Sequence, residues 1–125
     1  MSGISESEVV SALRRQMTIA AARQAASAGN LANIDTPNYK AVEVSFNDAL
    51  ESQMAATHSG HLGAASGGGI QTREVQGAET RRDGNTVVLD QELLKMTRAG
   101  GDFSKAQTAL AAKFRLVRYA INEGR

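Results

Sequence analysis

From Leu89 onward the chain repeats one pattern without a slip: Leu89, Leu93, Met96, Gly100, Phe103, Gln107, Leu110, Phe114, Val117 and Ile121 step by four and three. A stripe held at a period of 3.5 over more than four heptads predicts a long helix that supercoils with another helix, because a straight helix at 3.6 residues per turn carries such a stripe off its contact face. A chain built around it is mainly α. Asp90 fits an N-cap, and Glu92 places negative charge in the first turn, where it favours the positive end of the helix dipole. The flaw is Gly100-Gly101, since each glycine inside a helix costs roughly 1 kcal/mol relative to alanine. A kink, a weak point or a close helix contact is expected there.

The other end has a matching element. Val10, Leu13, Met17, Ala20, Gln24, Ser27 and Leu31 also alternate threes and fours, and Ser5 with Glu8 fits a capping box at the start. Gln24 and Ser27 weaken the stripe, while alanines at 21, 22, 25, 26 and 28 raise helix propensity and let backbones approach. Taken alone, this pattern also fits an ordinary surface helix of a small bundle. The helix must stop near Asn33, because Pro37 lacks a backbone N–H and drives Thr36 out of the helical region. Asn38 then occupies a position suited to positive φ, which Asn tolerates better than any residue but Gly.

Between the helices the period changes. Val42, Val44 and Phe46 alternate with Glu43 and Ser45, which predicts a short extended segment, and Ser45 or Asn47 then suits the cap of a short helix to about Ala56 with Ala49, Leu50 and Met54 on one face. From Thr57 to Arg82, Gly, Ser, Ala and Thr dominate around Gly67-Gly68-Gly69, so this reads as a loose connection whose one strand candidate is Ile70 to Val75. Asp83-Gly84-Asn85-Thr86 is a turn by composition, and Val87 to Leu89 lead into the last helix. The expected organisation is an N-terminal coiled-coil helix in residues 1–36, a turn, extended segment, short helix and connection in 37–89, and a C-terminal coiled-coil helix in 90–125.

Composition limits the core and the chemistry. Alanine is by far the commonest apolar residue of these 125, and aromatics are only 4%. At about 25 cal/mol per Å², small side chains yield little, so further packing partners are expected, copies of the chain among them. Cysteine is absent, which removes disulfides, thiolate metal sites and thiol nucleophiles. A net charge of +1 offers no bulk attraction to nucleic acid or anionic membrane, and Lys105, Lys113, Arg115 and Arg118 read as the solvated or inter-subunit side of the last helix. No stretch reaches a membrane span, and residues 1–30 lack the apolar core and cleavage site of a secretory signal. His58 and His61 have no acidic third ligand nearby, and the triple glycine lacks the Lys-Ser or Lys-Thr of a phosphate loop. No nucleophile elbow, carboxylate pair or His-centred triad can be assembled, so neither catalytic, cofactor nor metal residues are expected.

Two separated blocks carry a resemblance. Asn30, Asn33, Thr36, Pro37, Asn38 and Tyr39 resemble the Asn-x-x-Asn-x-x-Thr-Pro-Gly-Tyr signature of bacterial flagellar axial proteins, with Asn38 in place of the usual Gly. Asp83, Gly84, Asn85, Val87, Asp90 and Glu92, followed by the helix through Phe103, Leu110 and Phe114, resemble flagellar basal-body rod proteins of the FlgB type, as does Lys40 to Phe46. Val88 departs from a position often acidic, and Ala99-Gly100-Gly101 from better helix formers. The resemblance implies a structural subunit of the proximal rod, exported through the flagellar type III apparatus without a cleaved signal and assembled in the periplasm. Its implied partners are copies of itself, other rod subunits, and the membrane-ring and ring–rod junction proteins. Its terminal helices (Val10, Leu13, Met17, Leu31, Leu93, Met96, Phe103, Leu110, Phe114, Val117 and Ile121) would pack around the export channel. On the residues alone, Leu110, Phe114, Val117 and Ile121 also suit an intramolecular core against Leu13 and Met17. The alternative function is a soluble helical adaptor or regulatory protein that binds one partner through its C-terminal helix.

Overall fold

The computed structural model describes residues 5–45 and 70–123. Two long helices dominate it, α1 (Glu6–Ala32) and α2 (Leu89–Glu123), with two short strands between them, β1 (Val42–Ser45) and β2 (Gln71–Glu74). The expected mainly α fold, with long terminal helices and a short extended middle, is the fold observed. The helices pack as an antiparallel hairpin: Lys113 Nζ of α2 lies 3.3 Å from Glu6 Oε1 at the start of α1, and Gly100 faces Gln24 farther down. The base, where α1 ends and α2 begins, carries the strands. β1 and β2 pair antiparallel, Val42 opposite Glu74 and Ser45 opposite Gln71.

Local signals explain most boundaries. Ser5 caps α1, its hydroxyl accepting from the Glu8 N–H at 3.3 Å while the Glu8 carboxylate accepts from the Ser5 N–H at 2.6 Å, so the capping box forms as expected. α2 starts one residue before the expected cap. Leu89 is already helical and the Glu92 N–H donates to Val88 O at 3.0 Å, so Asp90 stands within the first turn rather than at its cap. Residues 71–74, within the stretch read as a loose connection, form β2, and this bears out the strand candidate. The short helix proposed for 47–56, Phe46, His58, His61 and the triple glycine lie outside the described residues.

The hairpin seam differs in phase from the expected one. Glu92, Ala99 and Ala106, seven apart, are the buried residues of α2, and Ala20, Ser27 and Asn30 those of α1. Met96, Phe103 and Leu110 only flank this line, half-buried, while Leu89, Leu93, Phe114, Val117 and Ile121 are exposed. The physical reason is size. Alanine and serine across the contact let the two backbones come close, and large side chains turn out to the sides of so narrow a seam. In α1 the expected stripe is nearer the mark, with Ala20 and Ser27 buried, Val10, Leu13, Met17 and Leu31 half-buried and Gln24 exposed. α2 runs through Gly100-Gly101 without a break, and the close contact falls on neighbouring Ala99. Among the described residues the buried apolar ones, Ala20, Ala41, Val87, Ala99 and Ala106, are all small or medium, in keeping with the thin core expected from composition.

Candidate functional site

At the base of the hairpin the two sequence blocks meet. α1 ends at Ala32, and its cap Asn33 turns its Nδ2 back to Gly29 O at 2.8 Å. The carbonyls of Asn33, Ile34 and Thr36 have no donor within the helix; the turn itself brings the Thr36 N–H to Asn33 O at 3.0 Å and the Tyr39 N–H to Thr36 O at 3.3 Å, and all three oxygens take a further donor. Asn85 supplies one: its Nδ2 lies 2.8, 3.1 and 2.9 Å from those three oxygens, so two amide hydrogens are shared among three acceptors. Its Oδ1 accepts from the Val87 N–H at 2.7 Å, and Asn85 is fully buried. The Arg81 guanidinium donates to Ile34 O as well, reaches Val87 O at 3.4 Å and lies 3.6 Å from Asp83. The helix is thus stopped by the polar residues after it, before the chain reaches Pro37.

Asn30, also fully buried, does for β1 what Asn85 does for α1. Its Nδ2 donates to Val42 O at 2.8 Å, and its Oδ1 accepts from the Val42 N–H at 3.0 Å and the Tyr39 hydroxyl at 3.2 Å. A helix side chain here pairs with a strand as a neighbouring strand would, and that fixes where the chain leaves the hairpin. The segment after Pro37 lies along the Asp83 block: the Asn38 N–H donates to Asp83 O at 2.8 Å, the Thr86 N–H to Tyr39 O at 3.0 Å, and the Ala41 N–H to Thr86 Oγ1 at 2.8 Å. Lys40 closes over the outside, its Nζ 2.8 Å from Gly84 O.

Two left-handed residues seat the blocks on each other. Asn38 has φ of 62°, as expected, and Gly84 has φ of 83°. A Cβ on Gly84 would fall on Asn38 Oδ1 and 3.2 Å from Asn38 Cα. Asn is therefore tolerated at 38 because its neighbour across the contact is glycine. No family model and no curated protein matches this chain, so the reading of the site rests on its own residues. Of the expected site residues, Asn30, Asn33, Thr36, Asn38, Tyr39, Asp83, Gly84, Asn85 and Val87 come together in this clasp. Pro37 is exposed beside it, and Asp90 and Glu92 stand on the first turn of α2. Glu92 is buried with Oε1 3.3 Å from Lys95 Nζ, and nothing among the described residues gives Oε2 a hydrogen-bond donor.

Arg81 and the α2 seam alanines Ala99 and Ala106 are absent from the expected site residues, and Thr86 was expected only as part of a turn. Ala99 and Ala106 had a legible signal, small residues seven apart beside the apolar stripe. Arg81 and Thr86 had none, because their partners lie 47 and 45 residues away along the chain. The second component of the site is a surface. Lys113 stands opposite the first turn of α1, yet α2 continues to Glu123, roughly 15 Å farther at 1.5 Å per residue. Every residue from Phe114 to Glu123 is exposed, with Phe114 at 52% and Ile121 at 62%. Among the described residues no group of three acidic, His or Cys side chains is placed to hold a metal ion, and no helix is long and apolar enough to cross a membrane.

Proposed function

We propose that this chain is a structural subunit of the bacterial flagellar rod, of the proximal type, which polymerises through its terminal helices around the export channel in the periplasm. One observation carries the reading: the two blocks that resemble the axial-protein and rod-protein signatures, Asn30 to Tyr39 and Asp83 to Val87, form a single clasp at the base of a helical hairpin. The clasp sets the point where the middle segment leaves the helices, which an inner tube of packed hairpins requires at a constant height. The exposed stripe Phe114, Val117 and Ile121 supports the same reading, because it is apolar surface left uncovered by α1. Supercoiling of the helices belongs to the assembled state in this proposal. Copies of itself, other rod subunits, ring and junction proteins and the export apparatus are its partners.

The test is genetic replacement in a flagellated host that depends on the gene. Phe114→Asp places a charge on an exposed position, so the monomer folds and export continues, while rod incorporation and swimming are lost; Leu110→Asp gives the same loss at a half-buried neighbour. Normal swimming by either variant sinks the proposal. A complex of fixed size with one unrelated protein would favour an adaptor instead.

A further inference from the structure

Asp83-Gly84 is the chain's single Asp-Gly step, and it has no Asn-Gly. An aspartate followed by glycine is the acidic pair that closes most readily into a succinimide, because glycine carries no side chain to shield its nitrogen and leaves the peptide free to turn. The step is not hidden here. The Asp83 side chain is 40% exposed and Gly84 only half-buried, so burial does not protect it.

What the fold withholds is rotation. For the Gly84 nitrogen to reach the Asp83 side-chain carbon, the planar Asp83–Gly84 peptide has to swing as a unit. That plane is bonded at both ends: Asp83 O accepts from the Asn38 N–H at 2.8 Å, and the Gly84 N–H donates to Arg81 O at 2.9 Å. Turning it breaks both bonds at once. The next carbonyl, Gly84 O, accepts from Lys40 Nζ at 2.8 Å. The carboxyl to be attacked is engaged as well, Asp83 Oδ1 accepting from the Asn85 N–H at 3.1 Å with Arg81 Nε 3.6 Å away. The bonds from Asn38 and Lys40 reach across from the other sequence block, so they exist only while the clasp is closed.

We propose that Asp83 is a self-modification site kept latent by the clasp: once the clasp opens, the chain closes a succinimide at Asp83-Gly84, proceeds to isoaspartate, and can no longer re-form the clasp. In the first step the Gly84 nitrogen bonds to Cγ of the protonated Asp83 carboxyl, the Cγ–OH bond breaks, and the nitrogen's proton leaves with that hydroxyl as one water. In the second, water adds at the Asp83 main-chain carbonyl and the bond from that carbon to the Gly84 nitrogen breaks, while the new bond to Cγ stays. Addition of water at Cγ instead restores aspartate. Nothing but water is exchanged. In isoaspartate the main chain runs through Cβ and Cγ, one atom longer, and the carbonyl that Asn38 had bonded has become a free carboxylate. The reaction needs only the single chain, whatever that chain assembles into.

The full chain, incubated at neutral pH in buffer and in urea sufficient to unfold it, tests the proposal. Isoaspartate is labelled by enzymatic isoaspartyl methylation after digestion and placed at residue 83 by mass spectrometry. Folded chain is expected to accumulate it at least about tenfold more slowly than unfolded chain. Asn85→Ala removes the bonds to the Asn33, Ile34 and Thr36 carbonyls but leaves the backbone bonds of the 81–85 turn, so with its helices intact by circular dichroism it is expected to react faster than wild type in buffer. If Asn85→Ala does not fold, Lys40→Ala, at an exposed position, takes its place. Isoaspartyl chain returned to buffer is expected to show fast hydrogen exchange at the Asn38 and Thr86 amides, which the clasp bonds in the unmodified chain. Equal rates in buffer and urea, or no isoaspartate at residue 83 in urea, overturn the latent site. A folded clasp variant that reacts at the wild-type rate assigns the protection to the local turn and overturns the role of the clasp. Slow exchange at Asn38 and Thr86 in the isoaspartyl chain overturns the claim that modification prevents closure.

Discussion

Gly84 and Asn38 show how much of the clasp depends on single backbone positions. Both have positive φ, and Gly84 presses on Asn38 where a Cβ has no room. Gly84→Ala is therefore expected to lower stability by about 1–3 kcal/mol, from left-handed strain together with displacement of the Asn38 side chain. Asn38→Gly removes the second contribution and leaves the first. In urea unfolding, the cost of Gly84→Ala should then be smaller on the Asn38→Gly background than on wild type, and equal costs would show that the two residues do not interact. The turn residues were legible in the sequence because Asn, Gly and Pro carry their conformational preference with them. The partners that complete the clasp were not, since nothing local to Arg81 or Thr86 reveals the Ile34 carbonyl or the Ala41 N–H that each meets more than forty residues away.

At the scale of elements, the helices follow from their own residues. The capping box, the alanines and the apolar periodicity place α1 and α2 within a residue or so of where they lie, and the alternation of Val42 and Val44 places β1. The face by which α2 meets α1 is another matter. Periodicity selects the largest apolar stripe, whereas close approach of two helices selects Ala99 and Ala106 beside it. The glycines at 100 and 101 then lie off the closest contact: a Cβ on Gly101 meets nothing within 4 Å, and one on Gly100 lies 3.7 Å from Gln24 Nε2. Gly101→Ala should stabilise the hairpin by up to about 1 kcal/mol, seen as a higher Tm. A lower Tm would mean that the glycine is needed for backbone freedom in α2.

For the whole molecule, burial is uneven along the hairpin. All the buried residues of α1 lie between Ala20 and Asn30, and all those of α2 between Glu92 and Ala106, so the half near the clasp holds the core. The other half is joined by half-buried contacts and the Lys113–Glu6 pair, whose Glu6 side chain is 77% exposed and so adds little. Hydrogen exchange on the dilute monomer should find the slowest amides in 20–33 and 85–106, with fast exchange in 6–13 and 112–123. Uniform protection along both helices would remove the case for terminal helices that complete their packing only on assembly. Assembly at the tip would then bury Phe114, Val117 and Ile121 and slow exchange there, coupling order to incorporation.

The sequence by itself determined the helices, the capping box that opens α1, the turn at Pro37, the left-handed Asn38 and the smallness of the core, because each depends on residues close together in the chain or on composition alone. Only the tertiary structure decided that the blocks at 30–39 and 83–87 are one clasp, that alanines and not the larger apolar residues face α1, and that the stripe from Phe114 to Ile121 is left outside. Those outcomes depend on which distant surfaces fit at close range. Backbone carbonyls and left-handed turns at the base choose the partners there, and the large apolar stripe of α2 remains uncovered at the tip.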